Sequence, residues 1–190
     1  MATSPPSKSR VTFPTSSSPT AQANIPTDKD KWINQERKRW AKYFNLPILA
    51  ESPKPFPQPT INTGRALCAV SILYPDKLSS AFEALYTAFW VEGKTINQQD
   101  VISAALSSHS AFGKDEVEAV MGKLGDPQVK QMLSSNTEQA MAEGAFGLPW
   151  FVAENTQGAK EAFWGVDHLG QVVEHLGLDR GKEPGLRAML

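Results

Sequence analysis

The residues best equipped for chemistry lie between Gly144 and Leu169, in GAFGLPWFVAENTQGAKEAFWGVDHL. Leu148-Pro149 stands directly before the aromatic and β-branched run Trp150-Phe151-Val152. Proline supplies no backbone donor, so Pro149 belongs at the first position of a strand. Aromatic neighbours on both sides make this junction a candidate cis peptide, a bond that is largely confined to proline. Asp167, after Phe163-Trp164-Gly165-Val166, is expected to cap a helix. Trp90, Trp150 and Trp164 are expected in the core first, and as walls of an apolar pocket second.

Other reactive side chains are sparse. Cys68 is the single cysteine, which leaves no internal disulfide and no C-x-x-C redox pair within these residues, and its apolar run suggests a small buried hydrophobe. His109, His168 and His175 lack metal-site spacing and are expected on helix surfaces. No metal is expected.

The elements that must position Pro149 and Asp167 follow from periodicity and turn chemistry. Gly144 to Leu169 reads as turn, strand, hairpin, second strand and helix start. Upstream, Asp28 to Phe44 carries apolar residues at helical spacing. Pro47 to Pro59 holds five prolines and is expected to be extended or looped. Thr60 or Asn62 should cap a helix running through Leu67 to Val70. Pro75 interrupts it, and Asp76 restarts a helix with Leu78, Phe82, Leu85 and Phe89 in phase. Asn97 should cap Val101 to Leu106. Gly113 to Leu124 follows, then a helix opened by Asp126-Pro127 and ending near Gly144. The last helix is expected over Asp167 to Leu176. Six or seven helices and two strands result, with no internal repeat.

A chain of 190 residues with 41% apolar content can bury a core. No apolar run approaches the roughly 18 residues of a membrane span. A net charge of -1 gives no footprint for nucleic acid, and Arg37-Lys38-Arg39 reads as a solvated helix face. In residues 1–25, 14 are Ser, Thr or Pro, which predicts a disordered tail rather than a targeting helix. Residues 181–190 are expected to be loose.

The GAFGLP and FWGVDHL motifs, at this spacing, resemble the C-terminal half of the kappa-class glutathione transferases. Their relatives include the 2-hydroxychromene-2-carboxylate isomerases and disulfide oxidoreductases with a helical insertion. The similarity continues through KDKWINQERKRWAKYFNLPI and PFPQPTINTGRALCAVSILYPDKLSSAFEALYTAFWVEG, and so covers about residues 26–180. It implies a mainly α chain with a small β hairpin. Residues 26–143 would form a helical insertion domain, and 144–180 the C-terminal strand-strand-helix part of a thioredoxin-like domain.

The resemblance implies glutathione as co-substrate. Leu148 matches the position whose backbone pairs with the cysteinyl part, and Pro149 matches the cis-proline. Val166 and Asp167 match the pair that receives the γ-glutamyl end, with Val166 standing where relatives can have serine. Lys29 matches a lysine that approaches the glycyl carboxylate. The family's thiol-activating serine sits in an S-P-x-S motif at a helix N-terminus, where amide donors favour a thiolate. Ser4-Pro5-Pro6-Ser7 matches those letters with no strand before it and no helix behind it, and reads as chance. The strand-helix-strand unit that would carry the motif is therefore expected to be missing, and the catalytic residue stays unassigned.

The implied activity is attack of a glutathione thiolate on a small hydrophobic electrophile, or a glutathione-assisted isomerisation. The alternative is a non-catalytic truncated form or pseudoenzyme that binds a partner. A homodimer is left open, as are mitochondrial, peroxisomal and cytoplasmic locations, while secretion is not expected. Ala188-Met189-Leu190 is only distantly like a peroxisomal signal.

Overall fold

The computed structural model describes residues 10–11 and 28–179. The Ser4–Ser7 motif, the rest of the N-terminal tail apart from Arg10–Val11, and residues 180–190 lie outside the described residues. The chain divides into two compact units, Thr15–Leu133 and Met1–Pro14 with Ser134–Leu190.

The larger unit is helical. It comprises α1 (Asp28–Tyr43), α2 (Ile61–Leu73), α3 (Leu78–Tyr86), α4 (Gln99–Ser108), α5 (Lys114–Gly122) and the start of α6 (Pro127–Ala142). Its core is built on Val70, Ile102, Leu106, Val120 and Val129, which are closed to solvent. Small residues on α2 and α3, among them Ala66, Ala69, Ala81 and Ala84, allow close helix approach. Gly64 sits against Leu133, where an added Cβ would come within 3.1 Å of its Cδ1.

Local capping signals act where they were expected around α6. Asp126 Oδ1 accepts from the Gln128 N–H at 2.8 Å, and Pro127 opens the helix. That backbone bond, with Lys123 beside it, holds the Asp126 carboxyl below its usual range. At α5, Glu116 Oε2 accepts from the Gly113 N–H at 2.8 Å while Lys77 bridges both carboxylate oxygens at 2.5 and 2.6 Å. The Lys77 bond first, and Gly113 second, lower the Glu116 carboxyl from its ordinary value.

Three helical details differ from the sequence expectation. Asn97 does not cap α4. Its Oδ1 accepts from the Asn62 N–H at 3.0 Å, while Asn62 Nδ2 donates to the Asn97 carbonyl at 2.9 Å. Asn97 therefore caps α2 from a distant loop. Removing it leaves an unpaired amide in the first turn of α2, so Asn97→Ala should lower stability by about 1 kcal/mol. A urea unfolding midpoint equal to wild type would contradict this.

The helix carrying Phe82 and Phe89 is not uniform. A 3-10 turn at Pro75–Lys77 precedes α3, and a π-helical turn at Thr87–Val91 follows it. The wider turn buries Ala88 and Phe89 and leaves Trp90 half-buried. Arg37, read as part of a solvated face, instead lies 5.1 Å over the Trp90 ring. Its guanidinium donates to the Leu49 and Ala50 carbonyls, tying the proline-rich segment to α1.

The smaller unit contains a three-stranded antiparallel sheet in the order β1 (Arg10–Val11), β2 (Trp150–Glu154), β3 (Lys160–Trp164). β1 corrects the reading of the N-terminal segment as containing no strand. It pairs through its backbone, Arg10 opposite Val152 and Val11 opposite Phe151, and such pairing needs no long apolar run. The unit division falls inside α6, whose last turns from Ser134 group with the sheet.

In the β2–β3 hairpin, Trp150 faces Trp164 and Phe151 faces Phe163. Asn155 Oδ1 accepts from the Gln157 and Ala159 N–H groups, each at 3.0 Å, closing the turn. A 3-10 turn, Val166–His168, then leads into α7 (Leu169–His175). Phe163, Ala153 and Val172 form the small core beneath the hairpin, with Phe151 and Leu176 packed against it.

Candidate functional site

The junction before β2 is built by glycine and aromatic residues acting together. Leu148-Pro149 is a cis peptide, as its sequence context suggested. Gly147 gives the Trp164 indole room to lie against the main chain, because a Cβ there would sit 2.6 Å from Trp164 Nε1. Phe146 stacks obliquely on Trp164, ring centres 4.8 Å apart, and edge-on to Trp150 at 5.5 Å. Trp150 is buried, while Phe146 is 72% exposed, Trp164 47% and Leu148 38%. The result is an apolar rim around the cis peptide.

The main chain at this point is only partly used. The Pro149 carbonyl accepts from the Gly165 N–H at 3.0 Å, which fixes the end of β3 beside the proline. Among the described residues no hydrogen bond engages the Leu148 N–H or carbonyl. Leu148 therefore offers a donor and an acceptor to an extended, peptide-like ligand.

Gly165 also shapes the turn that leads into α7. It adopts φ 95° and ψ 151°, a region almost reserved for glycine. A Cβ on Gly165 would collide with Asp167 Oδ1. The Asp167 carboxylate is folded back over the glycine and remains largely open to solvent. This corrects the expectation that Asp167 caps the last helix. It lies inside the 3-10 turn, and neither that turn nor α7 receives a side-chain capping bond. Its carboxylate is left available to a ligand instead.

The sequence-predicted residues are thus partly assembled. The Pro149–Gly165 bond links the Leu148-Pro149 peptide to the segment bearing half-buried Val166 and Asp167. Lys29 lies in the first turn of α1, in the other unit, and its side chain is outside the described residues. Trp90 also belongs to the helical unit, packed on Phe89 at 4.7 Å. Cys68 is buried in α2, where desolvation pushes its thiol up, away from the thiolate form.

Sequence reasoning missed Phe146, Gly165 and His168. Phe146 and Gly165 stood within the motifs, but their roles depend on which neighbour each one faces. The histidines correct another expectation. His175 is half-buried rather than free on its helix: Nε2 lies 3.1 Å from the Ala159 carbonyl and Nδ1 3.2 Å from Glu161, joining α7 to the hairpin. His109 is also mostly enclosed, its Nδ1 accepting from the Ala111 N–H at 3.2 Å. Among the described residues no group of side chains could hold a metal ion.

Comparisons with known proteins place the chain in a family. The DSBA-like thioredoxin domain matches residues 11–177. Human glutathione S-transferase kappa 1 is 28% identical over 153 residues, covering 78% of this chain. Glutathione S-transferase kappa 2 of Caenorhabditis elegans is 27% identical over 154 residues, again covering 78%. The chain spans 66% of the length of each of these two relatives. Among solved structures, the cytosolic disulfide reductase DsbM from Pseudomonas aeruginosa superimposes with a TM-score of 0.58 at 18% identity. That match covers 77% of this chain and 73% of the other, and the likeness is one of fold.

Proposed function

Because the chain belongs to the family of DSBA-like thioredoxin domains, we propose that it is a glutathione S-transferase kappa-like protein binding glutathione at Leu148, Pro149, Val166 and Asp167. The observation that supports this reading is that, among the described residues, no hydrogen bond engages the Leu148 main-chain groups, beside a Pro149 carbonyl tied to Gly165. The cysteinyl backbone would pair there in extended form. Asp167, exposed and joined to the proline through Gly165, would receive the γ-glutamyl ammonium. The Val166 side chain can supply no hydrogen bond of its own.

The reaction proposed is attack by the glutathione thiolate on a small hydrophobic electrophile. A carbon–sulfur bond forms, and the electron pair leaves with a leaving group or is protonated on the adduct. The exposed Phe146, Leu148 and Trp164 surfaces suit an apolar co-substrate. With the one cysteine buried in α2, dithiol exchange within these 190 residues is not part of the proposal.

Calorimetric titration of the purified chain with glutathione, beside a conjugation assay, tests this. Measurable binding is expected, and Asp167→Ala should weaken it by about tenfold or more, the worth of a hydrogen bond to a charged group. Binding without turnover would indicate a non-catalytic glutathione-binding relative. No heat at millimolar glutathione would refute the proposal.

A further inference from the structure

Beside Asp167 stands a second titratable side chain that none of the roles above employs. His168 Nδ1 is 3.5 Å from Asp167 Oδ1. The His168 side chain is 40% exposed, yet Nδ1 itself is closed to solvent and has no hydrogen-bond partner among the described residues. Gly165 creates the space both groups occupy. A Cβ there would strike Asp167 Oδ1 and come within 3.7 Å of His168 Nδ1.

A buried ring nitrogen facing a carboxylate oxygen cannot comfortably be an acceptor, because two lone pairs would then meet without a proton between them. We infer that His168 is a positioning residue for Asp167, carrying its ring proton on Nδ1 and directing it at the carboxylate. The inference rests on the reading of this turn as part of a glutathione site, and it adds how the carboxylate is aimed. With Oδ1 held by His168, the second oxygen stays open toward an incoming ammonium group. A 3.5 Å separation shortens readily when a bound ligand orders the pair, as hydrogen bonds in unliganded sites commonly do.

Two measurements decide it. Long-range proton–nitrogen NMR at about pH 8, where an ordinary imidazole is neutral, should show His168 as the Nδ1–H tautomer. Asp167→Asn should return it to the Nε2–H form common in solution. In glutathione titrations, His168→Phe keeps a ring without its nitrogen and should raise Kd by about threefold to tenfold, the worth of one hydrogen bond. His168→Asn places an amide donor near the Nδ1 position and should restore binding to within about twofold. In an Asp167→Asn background, His168→Phe should cost nothing further.

An Nε2–H tautomer in the wild-type protein would overturn the inference, as would unchanged binding by His168→Phe. If the wild-type chain binds no glutathione, the proposed function fails on that result. The tautomer comparison still decides the role of His168 independently.

Discussion

Gly165→Ala is expected to lower stability by about 1–3 kcal/mol and to remove glutathione binding. Two effects coincide at this residue. Its φ of 95° with ψ 151° is strained for any residue with a side chain, and a Cβ would collide with the Asp167 carboxylate. The chain can relieve the collision by swinging Asp167 away, which moves the proposed ammonium receptor. It can relieve the strain by shifting the backbone, which breaks the Gly165 N–H bond to Pro149 and uncouples β3 from the cis peptide. Either way the site changes before the fold is lost.

Gly158→Ala is the control. Gly158 also has a positive φ, 79°, but an added Cβ there meets nothing within 4 Å. It should lose about 1 kcal/mol or slightly more from the left-handed backbone alone and bind glutathione normally. Urea unfolding and calorimetry on the two variants separate local strain from site geometry. Equal binding by Gly165→Ala and wild type would show that the Asp167 pose is irrelevant to the ligand.

The contrast between these glycines shows what the sequence could and could not reveal. Features encoded within a few residues were legible: Asp126-Pro127 opening α6, the proline-rich break before α2, and the Leu148-Pro149 junction. The hairpin was legible too, because its turn and its aromatic alternation are local. Features that depend on a distant partner were not. Asn97 looks like a cap for the helix beside it, yet its carboxamide serves Asn62. Arg10–Val11 joins the sheet through backbone bonds that a Ser/Pro-rich composition does not announce. Asp167 reads from the sequence as a helix cap, yet neither the 3-10 turn nor α7 receives a side-chain capping bond. Its carboxylate turns back over Gly165 because that residue lacks a side chain, and no spacing rule encodes the turn.

Phe163→Ala should be the more damaging substitution for the sheet unit. Phe163 is the large side chain of a core otherwise made by Ala153 and Val172, with Phe151 and Leu176 at its edge. Its ring also lies 5.8 Å from the His175 ring, so it supports the contacts that join α7 to the hairpin. Truncating a buried phenylalanine costs about 3–5 kcal/mol, and a cluster this small has few neighbours to fill the void. Because β3 carries Trp164 and leads directly into Gly165 and Asp167, loosening Phe163 should remove glutathione binding along with the stability. Leu106→Ala, in the helical core, should cost about 2–5 kcal/mol while leaving the Phe146–Trp164 surface intact in whatever fraction stays folded. Near-ultraviolet circular dichroism, dominated by the tryptophans, can follow both variants during urea titration. A Phe163→Ala protein with wild-type stability would mean that the hairpin is held by its backbone pairing and not by the core beneath it.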